Sequence, residues 1–139
     1  MARRMSASFP LVLALLATAS VAAAQNGGTS PRLVTVNMVN VSATHYAFQP
    51  SQIAVHQGDT LRFVQTGAMP HNVQFVRSPV GTNLGAAQMG PFLTAAGQHY
   101  DLVIDGRFAI GVHDIVCTPH VSMGMTGSIT VSGPIVGTR

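Results

Sequence analysis

Ile110-Gly111-Val112-His113-Asp114-Ile115-Val116 runs into Cys117-Thr118-Pro119-His120-Val121-Ser122-Met123-Gly124-Met125 and then into Thr126-Gly127-Ser128-Ile129-Thr130-Val131. The flanks are rich in Val, Ile and Thr, the composition of strands, whereas Pro119 and Gly124 punctuate the middle. The stretch therefore reads as strand, loop, strand. Short runs of the same kind continue upstream. Leu33 to Val41 is rich in Val and Thr. Ile53 to Val55 precedes the turn Gln57-Gly58-Asp59, which leads into Leu61-Arg62-Phe63-Val64, where Leu61 and Phe63 share a face. His71, Val73 and Phe75 alternate with Asn72, Gln74 and Val76; Tyr100, Leu102 and Ile104 alternate with Asp101, Val103 and Asp105. Period-two alternation marks half-buried strands. Outside the N-terminal segment no long amphipathic helical pattern occurs, and the candidate around Asn83 to Met89 is kept short by glycine. Seven or eight short strands with turn signals every roughly ten residues point to an all-β fold, a Greek-key β-sandwich.

The chain has 139 residues, which sets an expectation of one domain. Residues 1–24 carry Arg3 and Arg4, an apolar run from Leu11 through Val21, and the small residues Ala22, Ala23 and Ala24. That pattern is a secretory signal peptide, too short and interrupted for a membrane span. Residues 25–31 read as a flexible leader and 32–139 as the functional domain, without a membrane span, exported to the periplasm. There it meets Arg32, Arg62, Arg77, Arg107 and Arg139 against Asp59, Asp101, Asp105 and Asp114, with no Lys and no Glu, so it is close to neutral. Such a balance gives no basic footprint for nucleic acid and little long-range steering. The domain is expected to be a monomer.

The single Cys117 is unusual for an exported chain, where cysteines normally pair. A metal is one occupant that would protect it; an intermolecular disulfide is another. Three residues on stands His120, and Met123 and Met125 follow; far upstream is Met69-Pro70-His71-Asn72-Val73. A thiolate, two imidazoles and a thioether make up the trigonal His₂Cys set with a weak axial Met that suits copper in both oxidation states. A ligand set acceptable to Cu(I) and Cu(II) needs little rearrangement when an electron moves. The candidate ligands are His71, Cys117, His120 and Met125, with Met123 as the competitor for the axial place. No His-x-His pair suggests the further copper centres that an oxidase or reductase would need, so an enzyme is not expected.

The run Cys117-x2-His120-x4-Met125 resembles the ligand loop of the cupredoxin family, in particular pseudoazurin and plastocyanin. Phe48-x-Pro50, the Gly58-Asp59-Thr60 turn and His71-Asn72-Val73 are similar too, so that the likeness covers roughly residues 33–131. It implies one type 1 copper ion and a soluble carrier of single electrons; the alternative is a copper storage or delivery protein on the same fold. Amicyanin, in the same family, has a shorter loop whose spacing would choose Met123, but Met125-x-Gly127 enters the last strand as the longer loops do. The resemblance also implies that Asn72 links the two ligand loops through Thr118; the Asn72 N–H is a candidate donor to the Cys117 sulfur, and His120, on the loop, is expected to present a ring edge as the electron port. An apolar patch of Met69, Pro70, Pro119 and Val121 would receive redox partner proteins. The chain departs from pseudoazurin in having no Lys to guide docking and in placing Val116 where an aromatic often precedes the Cys. His45, His56, His99 and His113 match no ligand position and are expected at the surface or in packing, although His113, close to Cys117 in sequence, could tune the site by its protonation.

Overall fold

A computed structural model describes residues 30–135. The expected signal segment 1–24 and most of the leader, residues 25–29, lie outside that range. The described chain forms eight strands: β1 (Leu33–Ser42), β2 (His45–Gln49), β3 (Gln52–His56), β4 (Thr60–Gln65), β5 (Gln74–Arg77), β6 (His99–Val103), β7 (Gly111–Val116) and β8 (Thr126–Ser132). They make two four-stranded sheets, ordered β2-β1-β4-β6 and β3-β8-β7-β5. β1 pairs parallel with β4 and β3 parallel with β8, while the other pairings are antiparallel. The expected all-β sandwich is what forms.

Alternation decides which face of each strand turns inward. Val36 and Met38 of β1, Phe48 of β2, Leu61 and Phe63 of β4 and Leu102 of β6 face Ile53 and Val55 of β3, Phe75 of β5, Ile115 of β7 and Ile129 and Val131 of β8, all of them buried. Removing an apolar side chain of this size from water contributes roughly 2 kcal/mol, so this double layer carries the fold. The helix candidate is a single 3₁₀ turn, Gly85–Gln88, and among the described residues no helix is long and apolar enough to cross a membrane.

Only two successive strand pairs remain in the same sheet, β1–β2 and β7–β8; the other connections cross from one sheet to the other. The β4-to-β5 crossing carries His71. The strand expected to begin at His71 begins three residues later, at Gln74. Until then the segment is bonded elsewhere: His71 N–H donates to Leu93 O (3.0 Å), Leu93 N–H returns to His71 O (2.8 Å), and Gly90 N–H donates to Val73 O (2.8 Å). Both same-sheet pairs and this crossing meet at one end of the sandwich.

Candidate metal centre

Cys117 leaves β7 just past the last rung of its ladder with β8, Val116 opposite Thr126. The loop between them closes on itself. Cys117 N–H donates to Met125 O (3.0 Å), Met125 N–H to His120 O (3.1 Å) and His120 N–H to Cys117 O (3.0 Å). Thr118–Met123 forms a 3₁₀ turn with Pro119 at its start, where the missing N–H costs nothing. Gly124 ends the turn at φ 87°, a left-handed conformation that favours glycine, and a Cβ there would also fall 2.8 Å from His45 Cε1. The loop's own backbone hydrogen bonds thus close its shape.

The second ligand loop is fastened to the first by one side chain. Thr118 N–H donates to Asn72 Oδ1 (2.9 Å), and Asn72 Nδ2 donates to Thr118 Oγ1 (3.0 Å). This is the link expected between Asn72 and Thr118. His71 then lies beside Cys117 and His120. The Nδ1 atoms of the two imidazoles are 3.0 Å apart, and Cys117 Sγ is 3.6 Å from the first and 3.5 Å from the second. All three side chains are buried, and they are the group among the described residues that could hold a metal ion. The three donor atoms lie within 3.6 Å of one another, close enough for a single ion to be shared among them. Donor chemistry and spacing therefore both fit a copper ion.

The electrostatics suit neutral imidazole donors. Burial, and after it the neighbouring His120, pushes the pKa of His71 down to about 4. Burial also lowers that of His120. Burial raises the pKa of the Cys117 thiol, and the nearby backbone N–H groups of Asn72 and His120 act against that rise.

Met125 is fully buried in the core, whereas Met123 at the end of the 3₁₀ turn is 39% exposed. Met69, Pro70, Pro119 and Val121 are exposed, and His120 keeps 5% of its surface. His45 and His99 are exposed and His56 is half-buried. His113 is fully buried, as a packing residue between Phe75 and Phe108. Its ring nitrogens are engaged with Ser78 Oγ (3.0 Å) and Ala109 O (2.8 Å), groups that belong to neither ligand loop.

Three residues at the site were not singled out in the sequence. Tyr46 stacks on His120 with ring centroids 4.1 Å apart and meets His71 edge-on at 5.5 Å. Asn40 Oδ1 lies 3.0 Å from His71 Nε2. Buried Gln65 donates its amide to Met69 O, two residues before His71. The signal for Asn40 was present: β-alternation puts it on the inward face after Val36 and Met38, a polar residue where the series leaves the core.

A family model described as copper binding proteins, plastocyanin/azurin family, matches residues 35–132. The chain belongs to that family. Plastocyanin from Prochlorothrix hollandica is 30% identical over 104 residues, 73% of this chain and 77% of that protein. Chloroplastic plastocyanin from Pisum sativum is 30% identical over 124 residues, covering 86% and 70%. Among solved structures, a mutant fern plastocyanin superposes with a TM-score of 0.58 at 28% identity, covering 71% of this chain and 100% of that one. A copper(I) amicyanin variant gives 0.55 at 30% identity, covering 72% and 82%. Membership agrees with the cupredoxin fold, the copper cofactor and the electron-carrier role that the ligand loop implied.

Proposed function

We propose that this plastocyanin/azurin-family carrier shuttles single electrons between redox partner proteins through one type 1 copper held by His71, Cys117, His120 and Met125. The observation that carries the reading is the convergence of two imidazole Nδ1 atoms and one thiol sulfur, one imidazole from the β4–β5 crossing and the other two donors from the β7–β8 loop, within 3.6 Å of one another. When bound there, copper supplies the one-electron couple. The protein supplies a donor set that both oxidation states accept and a loop that closes on its own hydrogen bonds, so little has to move between them. The burial of Met125 and the exposure of Met123 support Met125 as the axial donor.

His120 is the electron port. Its ring is the outermost of the three donors, and among the described residues no protein group bonds its Nε2. Met69, Pro70, Pro119 and Val121 form the apolar docking patch for partners, since exposed apolar surface marks interaction sites. Each of the four Asp residues is paired with an Arg: Arg32–Asp59, Arg62–Asp101, Arg77–Asp114 and Arg107–Asp105, at 2.6–2.9 Å. Little unpaired charge is left to steer a partner, which favours an apolar contact. The protein acts as a monomeric carrier and not as an enzyme, and residues 1–24 direct it to the periplasm.

Two measurements test this. Met125→Leu is expected to change the reduction potential and the visible spectrum while Met123→Leu leaves both as in the wild type; the reverse would transfer the axial role to Met123. Repeated oxidation and reduction without loss of metal is expected of the carrier, whereas release of copper on each cycle would favour storage or delivery.

A further inference from the structure

The β1–β2 pair contributes no expected ligand, yet it covers both imidazoles. Asn40 of β1 is directly opposite Tyr46 of β2 in the ladder, next to the irregularity between Asn40 and Ser42. From this one cross-strand pair, Tyr46 stacks on His120 and Asn40 reaches His71. Directly opposite side chains share a face of the sheet and lie close together, so the two contacts form one device.

The Asn40 contact has a chemical consequence. A neutral imidazole carries a single proton, on one nitrogen or the other. If His71 held it on Nδ1, the proton would point into the space between the donors, towards His120 Nδ1 at 3.0 Å or Cys117 Sγ at 3.6 Å. Either hydrogen bond would stabilise a tautomer in which the metal's place is blocked. The carboxamide oxygen of Asn40 offers an acceptor on the far side of the ring, 3.0 Å from Nε2, and so draws the proton outward. Asn40 in turn is seated over Gly67, where a Cβ would fall 2.6 Å from Asn40 Cγ. Gly67 is therefore tied to the placement of a side chain on a different strand.

We propose, resting on the copper reading above, that Asn40 is the positioning residue of the site: seated over Gly67, it fixes His71 in the tautomer and orientation that leave Nδ1 free for the metal. Hydrogen bonds of this kind to a metal-ligating histidine orient the ring, and their loss commonly costs about 10–100-fold in metal affinity.

The test uses the full chain with Asn40→Leu, Asn40→Asp and Gly67→Ala, each checked for folding by circular dichroism. In metal-free protein near neutral pH, ¹⁵N NMR of the ring is expected to show His71 as the Nε2–H tautomer in wild type and Asn40→Asp, and as a mixture or the Nδ1–H tautomer in Asn40→Leu. Cu(II) affinity is expected to fall about 10–100-fold in Asn40→Leu and to stay within a fewfold of wild type in Asn40→Asp, which keeps an acceptor. Gly67→Ala is expected to follow Asn40→Leu, because it displaces the amide. A tenfold loss confined to Cu(II) would raise the reduction potential by about 59 mV. The proposal is overturned if Asn40→Leu keeps the wild-type tautomer and affinity. It is equally overturned if Asn40→Asp fails to rescue, which would make the effect one of packing, or if Gly67→Ala changes nothing. A wild-type protein that fails to bind Cu(II) through its thiolate would refute the copper reading instead, and the metal-free tautomer would still decide the role of Asn40.

Discussion

β1 connects two polar ends of the sandwich that are built on opposite plans. Arg32, just before the strand, and Asn40, near its end, are eight residues apart, about 26 Å at strand rise. At the first end, fully buried Asp59 accepts hydrogen bonds from Arg32 N–H (2.8 Å), Arg32 Nη2 (2.8 Å) and His56 N–H (2.9 Å). Burial by itself would raise this carboxyl, but the bonds from the Arg32 side chain and from the backbone N–H groups of His56 and Arg32 outweigh it and hold the pKa at about 2. At the second end, two imidazole Nδ1 atoms and a thiol sulfur face one another, with Asn40 at the outer edge of the group beside His71 Nε2. One end completes its polar groups internally and so contributes stability. The other leaves its centre open for a cation and relies on the apolar core and its self-bonded loop to remain folded.

Changes at the two ends should therefore have separable effects. The largest expected effect is that of Cys117→Ser on copper: the intense thiolate absorption disappears while the metal-free protein unfolds near the wild-type denaturant midpoint. A large loss of metal-free stability would show that the ligand end also holds the fold together. Next is Asp59→Ala, which strands the N–H groups of Arg32 and His56. A cost on the order of 3 kcal/mol is expected in chemical denaturation, with the copper spectrum of the folded fraction unchanged; a changed spectrum would mean that the two ends are coupled through β1. Smaller, on the order of 2 kcal/mol, is the acid dependence of the wild type. Because the folded pKa of Asp59 is depressed, its contribution is complete above about 4, where an unfolded carboxyl ionises, and is lost as the pH falls to about 2. Asp59→Asn should flatten the stability–pH curve of the metal-free protein in that window. The smallest effect is that of salt on electron transfer. The Arg–Asp pairs away from the patch cancel locally, so the rate with a partner should vary little with ionic strength; a steep fall would contradict apolar docking.

The sequence made the sandwich legible because alternation and turn chemistry are local. Leu61 with Phe63, and Leu102 with Ile104, face inward as their spacing requires. The three convergent donors were legible for a different reason: Cys117 and His120 share one short loop, and the residue types themselves specify the chemistry. That His71 lies ahead of the strand was not, since its backbone bonds are with Leu93, a partner 22 positions away that no local pattern reveals. The same applies to Asn40 and Tyr46. Each is an ordinary strand residue until the β1–β2 register places it beside a histidine from a loop distant in sequence. His113 shows the converse. Its closeness to Cys117 in sequence suggested a tuning role, but it is packed between Phe75 and Phe108 and bonded to Ser78 and Ala109.

The decisive measurement is the absorption spectrum of the purified protein loaded with one equivalent of Cu(II). An intense visible band from the Cys117 thiolate, lost on reduction and restored on reoxidation with the metal retained, is the expected result. Cu(II) bound without that band would mean that Cys117 is not a ligand and that the protein is not a type 1 copper carrier.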